Sequence, residues 1–133
     1  MKIAYIMRGV PGSGKSEVAK QLAKEIGAIH STDDFFYVNG EYRFDPGRLQ
    51  ENHDRNFEAF CQSLHQGIPV VICDNTNMRH LHFQRYVDAA KQAGYLVAIV
   101  VIPRPKPEVA AQRTVHNVPV AVIQRMISRW EPQ

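Results

Sequence analysis

Cysteine is scarce in this chain. Its 133 residues hold two, Cys61 and Cys73, too few for the disulfide framework that stabilises many small secreted domains. Both sit in apolar surroundings, which predicts reduced core thiols and a cytoplasmic location. Long apolar runs are also missing. No stretch approaches the roughly 20 residues that span a bilayer, so no membrane partner is expected. The opening "MKIAYIMRG" is short, and glycines and a lysine follow it where a cleavage site would stand; it reads as a strand, not a leader. There is no low-complexity tract, internal repeat or dividing linker, which predicts one domain over residues 1–133. Acid is sparse in one half only. Residues 1–78 carry eight Lys/Arg against ten Asp/Glu, whereas residues 79–133 carry eight against three. That basic half suits an anionic partner, although a solvated basic face has the same composition.

What is present is an alternation of strand and helix patterns. "KIAYIM" is a β-rich run. Val18, Leu22 and Ile26 then recur at helical spacing over residues 15–26, closed by Gly27. "AIHS" reads as a second strand. Asn39-Gly40 between aromatic flanks is a hairpin signal, and Asp45-Pro46 reads as an N-cap followed by proline at the first helical position. That helix runs through Leu49, Phe57, Cys61 and Leu64 to Gly67. "PVVIC" and "YLVAIVVI" are unbroken apolar runs, expected to be strands buried on both faces. A helix over 79–93 ends at Gly94, and two short helices are expected over about 107–116 and 119–130, with Trp130 in the core. The pattern predicts an α/β fold, with a central parallel sheet of about four strands covered by helices on both faces. In such sheets ligands bind beyond the carboxyl ends of the strands. Residues 9–16, 31–36, 74–78 and 103–107 should therefore share one edge.

The first of these segments, "GVPGSGKS", matches G-x-x-x-x-G-K-[ST] between a strand and a helix. A chance match in a chain of this length is on the order of half a per cent. The expected mechanism is a phosphate cradle built from Gly9, Val10, Pro11, Gly12, Ser13, Gly14, Lys15 and Ser16. Glycines 9, 12 and 14 permit positive φ, backbone N–H groups face the anion, Lys15 reaches the β/γ-phosphates and the Ser16 hydroxyl ligates Mg²⁺. No N-K-x-D motif for guanine is present, and the expected nucleotide is ATP. In the second segment, "HSTDDFF", two acids precede two aromatics. An Asp pair here serves as a helix cap or turn, or accepts the proton of an attacking hydroxyl beside rings that partly desolvate it. No further Asp, Glu or His lies at metal-ligand spacing nearby. The other histidines, 30, 53, 65, 80 and 82, read as surface or edge residues.

"GVPGSGKS", "TDDFF" and "VVICDNTN", in that order, resemble the polynucleotide 5′-hydroxyl kinases and the small AAA-type and zeta-toxin-like P-loop domains related to them. "FYVNGEYRFDP" and "NVP…VIQRMISRWE" extend the resemblance over nearly the whole chain. It implies a single-domain P-loop kinase fold and an ATP- and Mg²⁺-dependent transfer of the γ-phosphate to a hydroxyl, that of an RNA or DNA 5′ end. Residue by residue it implies Asp33 as general base, with Asp34 supporting it. Asp74 or Asn75 matches the family's position after the third strand, with Asp74 holding Mg²⁺ through water or orienting the acceptor. It implies Arg113 as the lid arginine that stabilises the transferring phosphoryl group. Thr76 and Asn77 are expected to cap the next helix. Two positions depart from the pattern. Phe36 stands where the phage enzymes carry an arginine for the acceptor's phosphate, and the shorter lid offers His116 where a second arginine is expected. Phe36 is expected either to stack on an acceptor base or, with Phe35, to fill the core. A small-molecule hydroxyl as acceptor and a nucleotide-switched binding module are the alternative functions.

Overall fold

The computed structural model describes residues 1–133. Four strands, β1 (Ile3–Arg8), β2 (Gly27–His30), β5 (Val70–Asp74) and β6 (Leu96–Val101), form one parallel sheet in the order β2-β5-β1-β6. The tight register, with Met7 opposite both Asp74 and Val100, brings all four carboxyl ends to one edge. A separate hairpin pairs β3 (Tyr37–Val38) with β4 (Glu41–Tyr42). Its turn residues Asn39 and Gly40 have φ 51° and 83°, as a two-residue hairpin turn of the favoured twist demands.

Alternation along the strands divides the core. Ala4, Ile6, Val71 and Cys73 point to one face, where they meet Phe60 and Leu64 of α2 (Leu49–His65) and Phe83, Tyr86, Val87 and Ala90 of α3 (His80–Gln92). Met7 and Ile72 point to the other face, onto Ala19 and Ala23 of α1 (Lys15–Ala23). Burial of a ring such as Phe60 contributes up to about 3 kcal/mol. A third cluster joins Val10, between β1 and α1, to Ala110 of α4 (Pro107–Arg113) and Ile123 of α5 (Val120–Ser128). The last two helices thus pack on the loop after β1. No helix is long and apolar enough to cross a membrane.

The sheet, the helices on both its faces and the hairpin match the sequence pattern, and the differences have local causes. Helix α1 stops at Ala23, before Ile26, which is 60% exposed. Gly27 opens β2 so close to α1 that a Cβ there would lie 2.7 Å from the Ala23 Cα. Asp45 does accept from the Gly47 N–H at 2.9 Å, but it caps a 3-10 turn over Pro46–Arg48 that leads into α2. Val71, Ile72 and Cys73 of "PVVIC" are buried as expected, whereas β6 is an outer strand and exposes Leu96, Ile99 and Val101. A continuous apolar run does not reveal whether a strand has neighbours on both sides. Helix α4 ends at Arg113, where Thr114 turns extended and its hydroxyl donates back to the Ala111 carbonyl. Both cysteines are free, and Cys73 is buried. Trp130 is partly buried, with its ring over the Arg8 guanidinium at 4.5 Å.

Candidate active site

The loop between β1 and α1 is shaped by its glycines and by what packs on them. Gly12 and Gly14 have φ 80° and 92°, conformations that cost a residue with a Cβ. At Gly12 a Cβ would also lie 2.0 Å from the Ala110 carbonyl oxygen. Gly9 does not take the positive φ expected of it. Its need is room, since a Cβ there would sit 2.7 Å from the Ser13 hydroxyl. The amides of Gly12, Gly14, Lys15 and Ser16 donate to no backbone carbonyl, and the buried Ser13 hydroxyl has no partner. These donors cluster at the N-terminus of α1, where the helix dipole favours an anion. Val10 is buried and Pro11 half-buried beneath the loop.

Asp74 ends β5 almost fully buried and gathers the next two residues. The Lys15 ammonium donates to its Oδ1 at 2.8 Å and the Ser16 hydroxyl to its Oδ2 at 2.9 Å. A hydroxyl beside a carboxylate oxygen is a hard, all-oxygen donor pair of the kind Mg²⁺ takes while keeping several waters. Lys15, Ser16 and Asp74, expected to act together, are therefore in direct contact. Asn75 has a different position: its Oδ1 accepts from the Thr32 N–H at 2.9 Å. It ties the loop after β5 to the acidic segment. Thr76 and Asn77 do not cap α3, whose cap is Arg79. The Thr76 carbonyl accepts from the Gly9 N–H at 3.1 Å, and the buried Asn77 amide donates to the Met7 carbonyl at 2.7 Å. Both brace the phosphate loop from below.

Residues Thr32–Phe36 form a 3-10 turn after β2 that leaves Asp33 and Asp34 exposed. The Tyr42 hydroxyl, on the hairpin, donates to Asp33 Oδ1 at 3.3 Å. The pKa of Asp34 is raised, first by partial burial of its carboxyl and then by the charges of Asp33 and Asp74; His116 opposes this. Phe36 is only 2% exposed and packs on Tyr42 and Phe44 at ring separations of 6.2 and 5.1 Å. It supports the hairpin from inside and has no free face for an acceptor base, so the core alternative is the correct one. Phe35 lies under the Arg55 guanidinium at 4.6 Å.

Several contributors were hidden in the sequence. Asn52 and Asn56 lie fully buried on α2 and donate to the carbonyls of Phe35 and His30, at either end of the acidic turn. Their signal is a polar i, i+4 pair that leads into the Phe60–Leu64 stripe. His30 and His53, expected as surface or edge residues, are half-buried, with His30 at the end of the outer strand β2; they bond to Ser63 and Thr32 at 2.8 and 2.9 Å, and burial lowers both pKa values. Arg8 is fully buried and donates to the carbonyls of Asn77, Met78 and Glu131, which anchors the C-terminal tail beneath the loop. Arg113 ends α4, exposed, three residues after Ala110, whose backbone carbonyl lies against Gly12.

Comparison with known proteins accords with this arrangement. A family model described as "AAA domain" matches residues 5–133. Human NEDD4-binding protein 2 is 34% identical over 137 residues, covering 97% of this chain but 8% of its own length. The chain thus spans a small fraction of that relative. A structure of the Pnkp1/Rnl/Hen1 RNA repair complex superposes with TM-score 0.71 at 18% identity, over 96% of this chain and 43% of that one. A gluconokinase from Sinorhizobium meliloti 1021 superposes with TM-score 0.64 at 18% identity, over 97% and 75%. The fold is that of the P-loop kinases.

Proposed function

The chain belongs to the AAA domain family, and on that premise we propose that it is an ATP-dependent phosphotransferase whose acceptor is the 5′-hydroxyl of a polynucleotide. The observation that carries the reading is the placement of two sets of groups on one sheet edge. Lys15 and Ser16 are gathered on Asp74 at the helix N-terminus, and Asp33 stands on the neighbouring turn, held by Tyr42.

In this reading the free amides of the loop and Lys15 bind the β- and γ-phosphates of ATP. Ser16 and Asp74 are the residues that would hold Mg²⁺, which supplies charge neutralisation at the phosphates when bound. Asp33 accepts the proton of the acceptor hydroxyl as its oxygen bonds to the γ-phosphorus. The bond from that phosphorus to the β–γ bridging oxygen breaks, and ADP leaves with the electron pair. Arg113, on the helix that covers Gly12, offsets the negative charge of the transferring group. The polynucleotide acceptor is supported by the likeness to a chain of an RNA repair complex and by the aromatic hairpin beside Asp33. A small-molecule hydroxyl is the second reading, supported by Phe36 where an acceptor-phosphate arginine would stand and by the gluconokinase likeness.

The test is transfer of radiolabelled γ-phosphate from ATP to a 5′-hydroxyl oligonucleotide, to a panel of sugars and nucleosides, and to water. Label on the oligonucleotide is the expected result. Label on a small alcohol alone selects the second reading. Release to water alone, with nucleotide-dependent capture of a partner, would make the chain a switched binding module.

A further inference from the structure

The hairpin and the loop between α4 and α5 meet through stacked rings. The His116 imidazole lies flat on Tyr42, with centroids 3.5 Å apart and planes 10° apart. Tyr37 closes the side, edge-on to both rings at 5.5 and 6.0 Å. No backbone hydrogen bond joins this loop to the hairpin. The loop instead closes on itself: the Thr114 hydroxyl accepts from the Val118 N–H and donates to the Ala111 carbonyl. Asn117, next to His116, takes φ 55°. The two segments can therefore part at the ring stack without breaking a hydrogen bond.

The stack sits beside the proposed base, because the Tyr42 hydroxyl bonds to Asp33. A planar group on Tyr42 would lie about one ring's length from that carboxylate. A sugar that links a base to its 5′-hydroxyl spans such a gap. Apolar side chains are exposed on the hairpin and just after it, with Tyr37 46% and Phe44 53% exposed. The buried Phe36 meets Tyr42 edge-to-face at 6.2 Å, so the Tyr42 ring has support besides His116. Fixed aromatic faces that bases stack on are how proteins hold single strands without reading sequence.

We propose that the Tyr42 face covered by His116 is the platform for the acceptor's 5′-terminal nucleobase, and that His116 is its removable cover. This rests on the polynucleotide reading above. A purine or pyrimidine ring is larger than imidazole and covers more of the phenol ring, so the exchange favours the base. The hydrogen bond from Tyr42 to Asp33 then sets base binding and proton acceptance in one frame.

The experiment uses the full chain and two single-stranded oligonucleotides with 5′-hydroxyls, one ordinary and one with an abasic 5′-terminal residue. Both carry a fluorophore at the 3′ end, and dissociation constants come from anisotropy and acceptor KM from transfer. The ordinary oligonucleotide is expected to bind roughly tenfold tighter, within the range that a stacking aromatic supplies. Tyr42→Ala should erase that preference and Tyr42→Phe should keep it. His116→Ala should tighten binding of the ordinary oligonucleotide only, and should have no effect in the Tyr42→Ala background. If the wild-type chain binds and phosphorylates both oligonucleotides equally well, the platform is overturned while the polynucleotide reading stands; this comparison needs no variant to fold. Weaker binding after His116→Ala would make the histidine a wall of the site and overturn its role as cover. Transfer to small alcohols with none to either oligonucleotide would overturn the polynucleotide reading, and the platform with it.

Discussion

The proposed phosphate end and the proposed acceptor end of the site are built in different ways. At the phosphate end Asp74 is 5% exposed, Asn77 4% and Arg8 fully buried. Their bonds link β1, the start of α1, the segment after β5 and the C-terminal tail into one braced unit. At the acceptor end Asp33 is exposed, its partner Tyr42 belongs to a two-residue strand, and His116 reaches it from another loop. Nucleotide binding needs the same geometry whatever the acceptor. Acceptor recognition varies within the fold, and it sits on surface turns that change without disturbing the core.

That contrast predicts a graded set of losses. Lys15→Ala should have the largest effect, cutting transfer and ATP hydrolysis by at least about 10³-fold, because it removes the positive charge at the phosphates. Near-normal turnover in a steady-state assay would break the phosphate end of the comparison. Arg113→Ala should lower kcat by roughly 10²-fold and raise the KM for ATP much less, as expected of a group that acts in the transition state. The opposite split would make it a nucleotide contact alone.

Stability should divide along the same line. Asn77→Ala removes a buried donor to the Met7 carbonyl and should cost about 1–3 kcal/mol in urea unfolding. Tyr42→Ala, at the acceptor end, should cost less. Equal costs would mean the hairpin is as much a part of the core as the loop after β1. The smallest effect expected is that of Asp34→Asn. The native pKa of Asp34 is raised above its ordinary 3.8, so the folded chain holds this proton more tightly than the unfolded one. Its ionisation therefore destabilises the fold as pH rises from about that value through the raised one. The variant should melt slightly higher than the wild type at pH 7, with the gap closing toward pH 4. A gap that does not change with pH would refute the raised pKa that partial burial and then the charges of Asp33 and Asp74 give Asp34.

The two ends also differ in how far the sequence discloses them. The phosphate loop is local: eight consecutive residues specify turn and helix start directly after an apolar strand, and Asp74 follows as the last residue of an apolar run. The hairpin was legible from Asn39-Gly40 for the same reason. What lies across the chain was not. Phe36 is apolar and two residues from an acid, and only the partner rings of Tyr42 and Phe44 decide that it faces inward. Asn77 looks like a helix cap until β1 is placed beside it. The run "YLVAIVVI" has the composition of a central strand, yet β1 already has β5 on its other side, and β6 closes the sheet. The Tyr42–His116 stack joins residues far apart in sequence, and no spacing rule connects them.

The measurement that bears most directly on the account is single-turnover transfer by Asp33→Asn, with ATP affinity measured in the same preparation. Asparagine keeps the size of the side chain and its capacity to accept from the Tyr42 hydroxyl, but it cannot take up the acceptor's proton. The variant should bind ATP as the wild type does and label a 5′-hydroxyl oligonucleotide roughly 10²–10⁴-fold more slowly, while Asp34→Asn loses much less. Undiminished transfer by Asp33→Asn, or a loss confined to Asp34→Asn, would contradict the assignment of Asp33 as the base.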